Sequence, residues 1–292
     1  MARRKPPTVH GMVVVDKPSG MTSHDVVNQL RRRFGEKRIG HAGTLDPDAT
    51  GVLVVAVGNA TRLMRFISGC DKTYVGEIVL GTSTSTLDSA GEVTGTFDMG
   101  HVALSQAQAV VREHLTGDIM QVPPMVSALK IDGKRLHELA REGIEVERAA
   151  RPATIRQFDL EATDDPLVYR AIVECTAGTY IRSLADDLGR LLGGGAHLRN
   201  LRRTSVGRYT LDQAGTIEAA TLLPVATAVA HLERVTVDAV GADHVAHGRS
   251  VPCGPGDGPW AVFDAAGEGG ELLAVYEPFK GATKPIVVLV GT

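Results

Sequence analysis

The chain has 292 residues, 43% hydrophobic, 22% charged and only 4% aromatic, with a formal net charge of −3. These figures describe a globular chain of one large domain or two, cored by Val, Leu and Ala, and they exclude a uniformly basic nucleic-acid binder. Three widely spaced cysteines, Cys70, Cys175 and Cys253, exclude a disulfide framework and a zinc-ligand pattern.

Residues 1–10 read as a loose basic tail carrying Arg3-Arg4-Lys5. No signal-like segment and no apolar run of membrane-spanning length follows, so a soluble cytoplasmic protein is expected. Residues 11–15 (GMVVV) predict a short buried strand, and 16–20 (DKPSG) a turn. Thr22 or Ser23 caps a helix that runs to Phe34, with Val26, Val27 and Leu30 on one side and Gly35 as its stop. Arg31, Arg32 and Arg33 end that helix, where they suit its negative pole.

Residues 40–51 (GHAGTLDPDATG) are too rich in Gly and Pro for a helix or a central strand. Gly43 can take backbone angles closed to other residues, and Pro47 pushes Asp46 towards an extended conformation. Asp46 therefore stands on an ordered loop just before the apolar strand 52–57, a common way to present a catalytic carboxylate. From residue types alone, the reading of Asp46 and Asp48 as simple turn residues is the favoured one.

A short helix from Asn59 or Thr61 to Phe66 comes next, then a strand at 72–80 with Tyr74, Gly76 and Ile78 on one face. Residues 82–86 read as a polar loop, and Ser105 as the cap of a helix bearing Ala109, Val110 and Leu115. The two prolines of QVPPMVSA and the charged stretch after them make 121–152 an excursion from the core, the kind of long loop that binds. Strands are expected at 155–160 and 168–175. A helix opened by Gly178-Thr179-Tyr180-Ile181-Arg182 follows, stopped by Gly193-Gly194-Gly195, and then a strand at 205–211. Arg182 in the first turn faces the positive helix pole, which suggests an anionic partner elsewhere.

Composition changes near residues 232–235. Beyond it, short apolar runs separated by Gly and Pro turns predict a small all-β module holding seven acidic and three basic groups. The other basic residues are clumped: Arg31, Arg32, Arg33, Lys37 and Arg38 form one group, and Arg199, Arg202, Arg203 and Arg208 another. Each clump is either a phosphate-binding patch or a solvated face.

Taken together, these motifs resemble those of the TruB family of tRNA pseudouridine synthases. The matching stretches are residues 40–51, Lys72-Thr73-Tyr74, residues 178–182 with Asp186-Asp187-Leu188-Gly189, and Leu201-Arg202-Arg203; residues 16–23 also fit. One departure is Val126, where the family usually has Tyr after Pro-Pro-Met.

The resemblance implies an α/β (α+β) catalytic domain over residues 11–232. It would be built on a mixed, largely antiparallel sheet flanked by helices, with 121–152 as an inserted RNA-binding loop. Residues 235–292 would be a small all-β PUA-like RNA-binding domain. The implied reaction turns uridine 55 of the tRNA T loop into pseudouridine by flipping the base out, with no cofactor and no metal. Asp46, Tyr74 and Arg182 are the implied catalytic residues: the carboxylate, the group that takes the C5 proton or holds the ring, and the partner of Asp46. His41, Tyr180, Leu201, Arg202 and Arg203 are the implied substrate-binding residues. The implied partner is the tRNA T stem-loop, with no membrane and no obligate protein, and a monomer is expected. Whether Asp46 attacks C1′, adds at C6 or removes the 2′ proton stays open. The alternative is a tRNA-folding chaperone that grips the T arm without chemistry.

Overall fold

The computed structural model describes residues 6–290 apart from 128, 132, 253 and 266–268, so Cys253 and the basic tail through Lys5 lie outside the described residues. The strands are β1 (Gly11–Lys17), β2 (Ile39–His41), β3 (Thr50–Val57), β4 (Lys72–Leu80), β5 (Thr82–Thr84), β6 (Val93–Thr96), β7 (Gly117–Gln121), β8 (Lys130–Ile131), β9 (Lys134–Arg135), β10 (Arg151–Ala162), β11 (Val168–Cys175), β12 (Ala196–Val206), β13 (Tyr209–Thr210), β14 (Glu233–Val237), β15 (Trp260–Asp264), β16 (Leu272–Phe279) and β17 (Ala282–Val288). The helices are α1 (Ser23–Phe34), α2 (Met64–Ser68), α3 (Leu104–His114), α4 (Leu136–Arg141), α5 (Ile181–Leu191) and α6 (Ala239–Ala246).

One sheet runs β1-β3-β12-β4-β11-β10-β7, with β2 on β3 and β13 on β12. Every pairing in it is antiparallel except β3 with β12, so the sheet is mixed and largely antiparallel. β3 is buried on both faces, which is why its sequence is a continuous apolar run. Val52, Val54 and Ala56 join one core cluster, while Leu53, Val55 and Val57 pack with Val26, Val27 and Leu30 of α1 in another. Further along the sheet, Tyr74, Ile78 and Leu80 of β4 pack with α3 and α5.

Local signals set α1. Thr22 and Asp25 form a reciprocal capping box, and Gly35 closes the helix at φ +62°. β4 occupies the expected 72–80, with alternating burial.

Several expectations change. Residues 82–86 begin a hairpin, β5 with β6, rather than a plain loop. The inward residues of α3 are Ala107 and Val111, while Ala109 is exposed, and Ala103 is the N-cap, not Ser105. The expected strand at 205–211 is the end of a longer one: β12 begins at Ala196, turns at Gly207, and returns only as β13. β14, β15, β16 and β17 form a four-stranded sheet at the C-terminus, with α6 as a helical addition to a module expected to be all β.

Candidate active site

The loop between β2 and β3 is anchored residue by residue. Gly43 takes φ +95°. The Arg203 guanidinium, fully buried on β12, donates to the carbonyls of Gly43 (3.1 Å), Thr44 (3.4 Å) and Val52 (2.8 Å). The N–H of Leu45 donates to Ser23 Oγ at 2.9 Å, and that hydroxyl donates back to the Leu45 carbonyl at 3.1 Å. Asp46 opens a turn in which its carbonyl accepts from Ala49 N–H at 3.2 Å, with Pro47 at the second position, where its fixed φ suits a type I or II turn. The buried Lys17 ammonium donates to the carbonyls of Pro47 (2.8 Å), Pro18 (2.9 Å) and Met21 (2.6 Å), and burial pushes its pKa down to about 8.

The loop thus presents one carboxylate. Asp46 Oδ2 lies 3.0 Å from Arg182 Nε, and Oδ1 accepts from Arg182 Nη2 at 3.3 Å, the two-point geometry that orients a carboxylate. The Arg182 side chain is 6% exposed, whereas that of Asp46 is 42% exposed and open to the adjoining cavity. Burial still pushes the Asp46 pKa above the usual carboxylate value, against the pull of Arg182; Asp88 and Asp48 add to the rise and Lys17 opposes it. Arg182 also donates to the carbonyls of Thr86 and Val126, both at 2.9 Å, and lies 3.5 Å from Asp88 Oδ2. Those acceptors offset its unfavourable place at the N-terminus of α5.

A cavity of about 300 Å³ opens beside the pair, at the lower end of the ~300–1,000 Å³ range of small-ligand sites. Of the eight residues singled out in the sequence, it collects six: Asp46, Tyr74, Tyr180, Arg182, Leu201 and Arg203. Tyr74 is 8% exposed, and burial raises its pKa above the usual tyrosine value. Leu201 reaches the cavity through a bulge. Residues 200 and 201 stand opposite Gly76 alone, and Asn200 takes φ +53°.

His41 and Arg202 are not among the lining residues. His41 sits on β2, half-buried; burial and then the nearby Arg203 hold its pKa below the usual histidine value, so the ring is neutral near pH 7. Arg202 is paired two-fold with Asp16, at 3.0 and 2.8 Å. Arg199 is paired with Glu77 at 2.6 Å. Within the second basic clump, Arg203 is therefore a strut beneath the β2–β3 loop and Arg199 and Arg202 are paired with acids, whereas Arg208 is exposed.

Sequence reasoning missed Lys17 and Ser23 as loop anchors, although both lie in the matched stretch 16–23. It also missed Asp88 and Gln121. Gln121 is buried and clamps the backbone of Tyr180, accepting from its N–H at 2.8 Å and donating to its carbonyl at 3.0 Å. Neither has a local signal, because each acts on a residue far away in sequence. Val126 meets Arg182 through its main-chain carbonyl, a contact indifferent to the side chain there. Among the described residues no group of His, Cys, Asp and Glu could hold a metal ion, and no helix is long and apolar enough to cross a membrane.

Comparison with known proteins agrees with this geometry. Residues 31–181 match the family model described as TruB family pseudouridylate synthase (N terminal domain). Residues 182–235 match the tRNA pseudouridylate synthase B C-terminal domain, and residues 232–290 the tRNA pseudouridine synthase II C-terminal model. The chain is 47% identical over 297 residues to tRNA pseudouridine synthase B of Streptomyces coelicolor, covering 96% of this chain and 97% of that one. It is 45% identical over 294 residues to the protein of the same name in Thermobifida fusca, covering 97% and 99%. Among solved structures, a chain from a Cbf5-Nop10-Gar1 complex superposes with a TM-score of 0.70 at 27% identity, covering 97% of this chain and 84% of that one. With an aspartate clamped by a buried arginine beside a tyrosine-lined cavity, and with family models matched along nearly its whole length, the chain belongs to the TruB family of pseudouridylate synthases.

Proposed function

We propose that this chain converts uridine to pseudouridine at position 55 in the T loop of tRNA, with no cofactor. The observation that carries this reading is the Asp46 carboxylate, gripped at two points by the buried Arg182 and facing a cavity lined by Tyr74, Tyr180 and Leu201. Cleaving a bond at C1′ develops positive character on the sugar, and a fixed carboxylate complements it. Tyr74 packs on the flipped base and is placed to meet its C5 proton; Leu201 and Tyr180 close the pocket. His41, outside the cavity, holds the RNA after the base has left the stack, a displacement that costs a few kcal/mol. The T stem-loop is read largely by shape, with phosphates met by basic residues and by the 121–152 insertion. The division is a catalytic unit over 11–232 and an auxiliary RNA-binding unit over 235–292, acting as a monomer. A chaperone that only grips the T arm has no need of a carboxylate clamped by a buried arginine.

The test is incubation with an unmodified tRNA transcript, followed by mapping of pseudouridine. Pseudouridine at position 55, lost in Asp46→Asn with tRNA binding retained, is the expected result. Full activity in that variant would overturn the assignment.

A further inference from the structure

Among the described residues Asp46 is the cavity's single lining carboxylate, but three cations line the same space: Arg182, Arg203 and Lys72. Arg182 is answered by Asp46 and Asp88. The other two are not answered by acids. Lys72 is 5% exposed and donates to the carbonyls of Ser68 (3.1 Å) and Cys70 (2.7 Å). Arg203 is 0% exposed and donates to the three carbonyls already described. Among the described residues no carboxylate lies within ion-pair distance of either. Two buried cations without a counter-ion are costly. Burial, and then the nearby Arg203, pull the Lys72 pKa below the usual lysine value, as expected of a cation with no adjacent anion.

Position says what they face. Lys72 stands two residues before Tyr74 on the same face of β4, and the Arg203 guanidinium lies against the Tyr74 hydroxyl. This pair therefore lines the cavity beside Tyr74, packed against Gly43 of the loop that carries Asp46. On the proposed reaction, the electron pair of the C1′–N1 bond leaves with the base. Uracil becomes an anion delocalised over N1, O2 and O4, while the sugar side either bonds to Asp46 at C1′ or gives it the 2′ proton. That anion turns and its C5 bonds to C1′ as the bond to Asp46 breaks, or as Asp46 returns the 2′ proton; a base then takes the C5 proton while N1 takes up one from solvent, which restores the ring. Charge is conserved throughout, and negative charge sits on the base only between the two bonds.

We propose that Lys72, supported by Arg203, is the electrostatic complement of this detached uracil anion. A preformed cation in a site closed to water stabilises charge that develops in the transition state without needing to reorganise.

The inference rests on the proposed reaction, and its test separates the two. Single-turnover rates are measured for wild type and Lys72→Gln on tRNA transcripts carrying uridine or 5-fluorouridine, whose base leaves more readily as an anion. Wild type must first form pseudouridine; its failure would sink the functional reading instead. Lys72→Gln can keep hydrogen bonds to Ser68 and Cys70 without the charge. It is expected to bind tRNA as wild type does and to lose about 10²–10³-fold in rate on uridine. The defect should shrink several-fold on 5-fluorouridine, and Lys72→Arg should recover much of the uridine rate. If Lys72→Gln fails to fold, Lys72→Met carries the same expectations, and the Lys72→Arg rate on the two substrates is read beside it. An equal defect on both substrates would overturn the proposal in favour of a packing role. A loss confined to tRNA affinity would overturn it in favour of a phosphate contact.

Discussion

Asp46 is ionised at a cost that the fold accepts. Its pKa is raised by burial in spite of Arg182, so the folded state holds that proton more tightly than the unfolded chain does. Between the unfolded and folded pKa values stability therefore falls as pH rises, and the ionised carboxylate is a net burden at neutral pH. Asp46→Asn should abolish turnover yet show a thermal midpoint at pH 7 equal to or above that of wild type; a clearly lower midpoint would contradict this account. The single-turnover rate, which needs the ionised form, should fall as pH drops through a pKa above the ordinary carboxylate value. An acid limb at or below that value would show that burial does not dominate. Arg182→Lys keeps a charge but loses the fork that grips both carboxylate oxygens, and a displaced carboxylate should cost about 10²-fold in rate.

Among the elements, β12 does most to assemble the site, and it was the hardest to read. Its sequence, AHLRNLRRTSV, alternates poorly and carries three arginines, yet it lies between β3 and β4 in the middle of the sheet. Each arginine has a private solution: Glu77 for Arg199, Asp16 for Arg202, and main-chain carbonyls for Arg203. Its parallel register with β3 places Arg203 opposite Gly51, which takes φ +100°. A Cβ there would stand 2.1 Å from the Arg203 carbonyl oxygen. Gly51→Ala should therefore lose about 3 kcal/mol or more in urea unfolding, through strain and a backbone clash together. Removing the α1 cap by Thr22→Ala should cost only about 1 kcal/mol, because one local hydrogen bond is lost and the face packed on β3 stays whole.

Over the whole molecule, charge and burial divide the basic residues differently from their spacing in sequence. Arg33, though exposed, is tied to the main chain through the carbonyls of Ile217 and Ala220; Arg32, Lys37 and Arg38 are exposed without such a tie, the Arg38 guanidinium donating only to the Asn59 side chain. If those three meet RNA phosphates, replacing each by Gln should lower the slope of log affinity against log salt by about 1, and Arg202→Gln should leave it unchanged. Equal slopes for all four variants would remove the patch from the interface. The C-terminal module is not a loose appendage. Ala261, Phe263, Leu272, Val275 and Val287 share a core cluster with Val54, Leu63 and Ile67, and Arg62 donates to the Val288 carbonyl. Deleting residues 235–292 should therefore expose apolar surface worth several kcal/mol at about 25 cal/mol per Å². A lower thermal midpoint and binding of an apolar dye would report it; an unchanged midpoint would show an independent module.

Wherever one stretch carried its own physics, the sequence by itself determined the result. Thr22 and Gly35 bounded α1, alternation set β4, and the glycines and Pro47 made the stretch before β3 a rigid loop. The family motifs then singled out Asp46 within that loop. Only the tertiary structure decided which basic residues are struts, which are paired and which are free, and it alone joined Arg182 to Asp88, Gln121 to Tyr180 and Lys17 to Pro47. The physical reason is common to all of them. A buried polar group must find a partner, and these partners lie 30 or more residues away, beyond any pattern a local window can hold.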